Sequence, residues 1–218
     1  MAQEIFYGEA SPALPPLTEF AKTEPVTIRV LNPEVEADVA IAAAWDAETI
    51  GEGGALHPFE PSSPAVMTDE ELRTWMRGDE RHMLRGIFEK EKDVGFVYTY
   101  DDLDGRKRLR FLQSRGLVPK NASHREINWW TDRATPKQAE SGIAQTLLEL
   151  FTRKETKRPL AIVLYVEKDD IAVDGELARR LGFKEIAKGI SYDQPGNPGG
   201  DTAFLLTQES FVQALGKR

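Results

Sequence analysis

The chain has no cysteine among its 218 residues. That absence removes disulfides, thiolate metal sites and cysteine nucleophiles together. Histidine is nearly as scarce: His57, His82 and His124 are the three, scattered without the spacing of a zinc or iron ligand set. No apolar run nears the roughly 20 residues that a helix needs to cross a bilayer. The N-terminus shows no basic segment followed by an apolar core, so the expected compartment is the cytoplasm. Positive charge is not in excess either; the formal net charge of −8 argues against a general nucleic-acid binder. Internal repeats, low-complexity tracts and heptads are missing. What remains, 40% hydrophobic and 29% charged residues, is the composition of a soluble globular chain with enough length to bury a core.

Residues 1–25 carry Pro12, Pro15, Pro16 and Pro25 and little periodicity, which reads as a flexible arm. Its few large apolar residues, Ile5, Phe6, Tyr7 and Phe20, offer docking points for a second copy, so a homodimer is one expectation. Val26 to Leu31 alternates as a strand. Pro33 opens an alanine-rich helix to about Thr49, with Val35, Val39, Ala42 and Ala43 on its buried side. Thr68-Asp69-Glu70-Glu71 is a capping box that starts a helix burying Leu72, Trp75 and Met76. His82–Glu89 and Val94–Tyr100 read as an antiparallel pair around a turn at Lys90 to Asp93. Asp101-Asp102-Leu103-Asp104-Gly105 is a sharp reversal; it lacks the ligand spacing of a calcium loop, and no metal site is expected.

Charge is unevenly spread. Arg106, Lys107, Arg108, Arg110, Arg115, Lys120 and Arg125 share one stretch of chain that holds no carboxylate. The pattern Arg108-Leu109-Arg110-Phe111-Leu112 is that of an added strand. The stretch reads either as a flap that attracts anions or as a set of counter-ions to nearby acidic segments.

The most informative stretch follows. Glu126-Ile127-Asn128-Trp129-Trp130-Thr131 is a short aromatic strand. Ile143, Leu147 and Phe151 mark one face of a helix. Pro159 then introduces the apolar run Leu160 to Val166, a strand covered on both faces. Two strands bracketing one helix make a right-handed unit with parallel strands. A helix from Asp174 or Gly175 ends at Gly182, within Leu181-Gly182-Phe183. Lys184 to Tyr192 and Thr202 to Thr207 complete about seven strands.

Ser141-Gly142-Ile143-Ala144, placed between two strands, with Leu181-Gly182-Phe183 downstream of the second, resembles the GCN5-related N-acetyltransferase (GNAT) superfamily. The resemblance implies an α/β fold over residues 26–218: a mixed, mostly antiparallel sheet of about seven strands, a central parallel pair that splays apart, and helices on both faces. It implies acetyl-CoA as co-substrate and transfer of its acetyl group to an amine, on a small molecule or a peptide, by direct attack. Backbone groups at Trp129, Trp130 and Thr131 would meet the thioester and pantetheine. The N–H groups of Ser141, Gly142, Ile143 and Ala144 would wrap the pyrophosphate, and Glu126 would stand where many members keep a catalytic glutamate. His57, Phe59 and Trp75 either face the acceptor, as the resemblance implies for the first helices and their loop, or simply pack. Ala139 occupies the family's Gln/Arg position, Glu140 adds a negative charge beside the loop, and Ala178 aligns with a frequent general-acid Tyr. A binding module that has kept the fold and lost the cofactor is the alternative.

The helix has a rival start. Thr135-Pro136-Lys137-Gln138 reads as an N-cap, a proline in the first turn and a capping-box Gln, and Ala139 extends the apolar stripe one turn back. On that reading Gly142 is interior helix and no pyrophosphate loop exists.

Overall fold

The computed structural model describes residues 13–22, 24–49, 67–77, 82–101, 107–153, 158–190 and 200–217. Seven strands, Thr27–Val30 (β1), His82–Glu89 (β2), Lys92–Asp101 (β3), Ser123–Trp130 (β4), Leu160–Val166 (β5), Lys184–Ile190 (β6) and Asp201–Thr207 (β7), form one sheet in the order β1-β2-β3-β4-β5-β7-β6. The helices are Leu17–Lys22 (α1), Glu36–Thr49 (α2), Asp69–Met76 (α3), Lys107–Ser114 (α4), Pro136–Thr152 (α5), Asp174–Arg180 (α6) and Gln208–Leu215 (α7). The mixed α/β sheet expected from the sequence is observed, with β4 and β5 parallel and β1/β2, β5/β7 and β6/β7 antiparallel. By contacts the chain divides into an N-terminal unit, residues 24–99 and 129–146, and a C-terminal unit, residues 100–128 and 147–218 with the arm up to Thr23.

In the N-terminal unit, β1 pairs with β2 from Thr27↔Phe88 to Val30↔Arg85. The tight connection between β2 and β3 places Lys90 at a φ of 58°. α2 begins later than Pro33 suggested, at Glu36. The reason is local: the Glu34 N–H donates to Asn32 Oδ1 at 2.9 Å and the Val35 N–H to the Asn32 carbonyl at 3.0 Å, so Pro33 and Glu34 sit in a turn. Val35 is consequently 43% exposed, and the buried side of α2 is Val39, Ala42 and Trp45. The α3 cap is as read, with Thr68 and Glu71 bonding reciprocally, Leu72 buried and Trp75 packed 5.8 Å from the Tyr98 ring. His57 and Phe59 lie outside the described residues, as do Ile5, Phe6 and Tyr7 of the arm and the reversal from Asp102 to Gly105.

The C-terminal unit corrects the reading of the basic stretch. Residues 107–114 are the helix α4, not a strand. Leu109 and Leu112, three apart, go into one apolar cluster with Val118, Ala161, Val163, Ala203 and Leu205. The alternation that suggested a strand arises because Arg108, also buried, lies beside Leu109 on the same side of the helix. α6 carries no side-chain cap; Val173 precedes it in the capping position, rather than Asp174 or Gly175. Its C-terminus is a Schellman motif, with Gly182 N–H bonded to Arg179 and Phe183 N–H to Ala178. Gly182 has a φ of 92°, and a Cβ there would collide with the Ser210 carbonyl. The Leu-Gly-Phe signature is thus a joint in the chain.

Candidate active site

Glu126 is the last β4 residue in the parallel register with β5, opposite Val163. Side chains alternate along a strand, so Glu126 shares a face with Val163 and, two residues on, Tyr165. That face is the one α4 covers. Arg108, in the first turn of α4, reaches across it with its guanidinium carbon 3.8 Å from the centre of the Tyr165 ring. Its Nη2 donates to Glu126 Oε1 at 3.3 Å and its Nη1 to Asp201 Oδ2 at 2.9 Å. Glu126 is 4% exposed. An ion pair so far out of water is held by its geometry, not by raw attraction.

Asp201 begins β7, and the β5/β7 register ends one step away at Val166↔Thr202, which brings Glu167 alongside. Burial pushes the Asp201 carboxyl above the ordinary aspartate range, while Arg108 pulls the other way. Glu167 is raised too, first by burial and then by the charges of Asp201, Asp170 and Asp169. One buried cation therefore grips two carboxylates, and a third repels the more open of them. Such mutual perturbation suits proton transfer.

In the N-terminal unit, Trp129 is buried and Trp130 is half-buried, its ring stacked on Phe96 at 5.8 Å. The Thr131 carbonyl accepts the Ala134 N–H at 2.9 Å, closing a turn. Within that turn Arg133 lies 5.4 Å over the Trp130 ring and donates to Asp93 Oδ2 at 2.6 Å and to Glu48. Trp45 Nε1 donates to the same Asp93 oxygen at 2.9 Å. α5 follows directly. The Thr135 N–H donates to Gln138 Oε1 at 2.8 Å and the Gln138 N–H to Thr135 Oγ1 at 3.3 Å, a complete capping box around Pro136. Ser141, Gly142, Ile143 and Ala144 are buried well inside the helix. Gly142 meets β2: a Cβ there would stand 2.7 Å from Ile87 Cδ1. Gln145 fixes the next turn by donating to the Val26 carbonyl at 2.8 Å.

Several solved structures share this architecture. An uncharacterised protein of Bacillus halodurans superimposes with a TM-score of 0.61 at 11% identity, over 88% of this chain and 89% of its own. The aminoglycoside acetyltransferase AAC(6')-Ib, in complex with coenzyme A and kanamycin, gives a TM-score of 0.59 at 15% identity, over 86% of this chain and 98% of its own. The ribosomal L7/L12 alpha-N-protein acetyltransferase RimL, in complex with coenzyme A, gives 0.57 at 13% identity, over 85% and 96%. The fold is the GNAT fold. No family model and no curated protein matches the sequence.

Against the GNAT fold, the expected pyrophosphate loop needs correcting. In the middle of α5 the N–H groups of Ser141 to Ala144 are used by the helix itself, and their side chains are buried. They do not fit a pyrophosphate. The apolar stripe decided the matter: Ala139, Ile143 and Leu147 are all buried, so packing carries the helix back to Pro136. Glu126, which the resemblance places at a catalytic position, is ion-paired with Arg108 of the basic stretch. Ala178, at the family's frequent tyrosine position, is buried in α6. Two members of the charged cluster escaped the sequence reading, Asp201 and Glu167. They belong to different parts of the chain, and only the strand order β5-β7 brings them together. Among the described residues no group of His, Asp and Glu converges as a metal site, and no helix is long and apolar enough to cross a membrane.

Proposed function

We propose that the chain is an N-acetyltransferase that moves an acetyl group from acetyl-CoA to an amine by direct attack. One observation carries the reading: on the GNAT fold, Arg108, Glu126 and Asp201 meet where the parallel β4/β5 register stops. In open α/β sheets, the ends of parallel strands are where ligands bind. The amine nitrogen attacks the thioester carbonyl, the C–N bond forms as the C–S bond breaks, and the ammonium proton passes to a carboxylate. The thiolate leaves and is protonated. Glu126 belongs to this machinery as the buried partner of Arg108. Asp201, half-buried and on the other arm of the same guanidinium, is the carboxylate that a proton reaches. Backbone groups of Trp129, Trp130 and Thr131 serve the pantetheine and thioester. The amine acceptor is a small molecule or a peptide.

A second reading has its own observation. The interior position of Ser141 to Ala144 in α5 favours a GNAT-fold binding module without cofactor. Calorimetry with acetyl-CoA, followed by mass analysis after incubation with a panel of primary amines, separates the two. Binding heat and an amine heavier by one acetyl group support the enzyme. No heat at millimolar acetyl-CoA and no product support the module.

A further inference from the structure

The first four N–H groups of a helix are its anion-binding capacity, because nothing inside the helix satisfies them. In α5 they are nearly spent. Pro136 has none, the Thr135 and Gln138 groups are closed by the reciprocal capping box, and the Ala139 N–H already bonds the Thr135 carbonyl at 2.9 Å. Of this first turn, Lys137 alone keeps a main-chain donor without a partner among the described residues. The charges nearby do not compensate. Arg133 is committed to Asp93 and Glu48, and Asp132, Arg133, Lys137 and Glu140 are two of each sign. A dianionic pyrophosphate brought here meets a single open main-chain donor and no net side-chain charge.

We infer that this chain takes its acyl donor by the pantetheine arm and leaves the nucleotide unheld at α5, so that acetyl-pantetheine serves as donor as well as acetyl-CoA. This rests on the acetyltransferase reading above. The chemistry is unchanged: the amine gains the acetyl group, the C–S bond breaks, and pantetheine leaves as its thiol after taking up a proton. The nucleotide then adds size without adding affinity.

The full chain is titrated calorimetrically with acetyl-CoA, with acetyl-pantetheine and with adenosine 3′,5′-bisphosphate, and acetyl-CoA is titrated again into Lys137→Glu. The two thioesters should bind within about threefold of each other, the bisphosphate should not displace acetyl-CoA at millimolar concentration, and Lys137→Glu should shift affinity by less than about twofold. Acetyl-CoA binding more than about tenfold tighter than acetyl-pantetheine, displacement by the bisphosphate, or a loss of about tenfold in Lys137→Glu would overturn the inference and leave the acetyltransferase reading standing. Failure of both thioesters to bind removes that reading and the inference with it.

Discussion

The two units build one device twice. In the C-terminal unit, Arg108 lies over the Tyr165 ring and joins Glu126 to Asp201; in the N-terminal unit, Arg133 lies over the Trp130 ring and joins Asp93 to Glu48. Each is a planar guanidinium stacked on an aromatic face with its fork shared between two carboxylates. They differ in water. The Arg108 side chain is 6% exposed and the Arg133 side chain 32%. Partners alone would make the two equal, but desolvation separates them. A buried pair is costly to assemble and costlier to break, whereas solvent screens the open one.

The largest expected effect breaks the buried device. Arg108→Met leaves Glu126 in the interior without its ion pair and should cost about 3–5 kcal/mol in urea unfolding. Adding Glu126→Gln should recover part of that, giving a coupling of about 1–3 kcal/mol in a double-mutant cycle. A cost below about 1 kcal/mol would place Arg108 in the class of surface pairs. The matched experiment, Arg133→Ala, should cost less than about 1 kcal/mol, and that cost should shrink further at high salt. A salt-insensitive loss as large as that of Arg108→Met would erase the distinction between the two.

Smaller effects sharpen the comparison through pH. The Asp201 carboxyl is raised above its ordinary value of 3.8 by burial, so the folded chain holds more protons there than the unfolded chain. Stability from this group is therefore present at acid pH and declines as pH rises through the folded value. The difference in unfolding free energy between Asp201→Asn and the parent should move in the variant's favour as pH is raised from below 3.8 to neutrality. Movement the other way would mean that Arg108 outweighs burial at this carboxyl. Glu167, raised chiefly by burial and then by its acidic neighbours, gives the smallest signal. Glu167→Gln should raise the melting temperature at neutral pH by no more than about a degree or two; a fall would show that its charge is favourably placed.

The strands were legible because each is a local pattern: alternation in β1, a hairpin in β2 and β3, an unbroken apolar run in β5. The charged cluster was not. Glu126 and Asp201 stand on strands separated by two helices and two further strands in the chain, and nothing within either neighbourhood marks them as sharing an arginine. α4 was misread for a related reason. Leu109 and Phe111 alternate with Arg108 and Arg110 as in a strand, and a buried arginine counts as polar in any periodicity, so the helical side formed by Arg108, Leu109 and Leu112 is hidden. At α5 the sequence held both answers. Gly142 suits a phosphate loop and also suits close packing on Ile87, and the burial of Ala139, Ile143 and Leu147 decides for packing.

Strand order has a consequence for the making of the molecule. β7 lies between β5 and β6 in the sheet, yet it leaves the ribosome after both. Until it arrives, β6 has no neighbour to pair with, and β5 presents a long apolar edge from Ala161 to Val166. An open edge of that kind invites pairing with another nascent chain. Synthesis that stalls shortly before Asp201 would release a chain with most of its strands made and its most adhesive one uncovered, an object for chaperones rather than a smaller version of the folded protein.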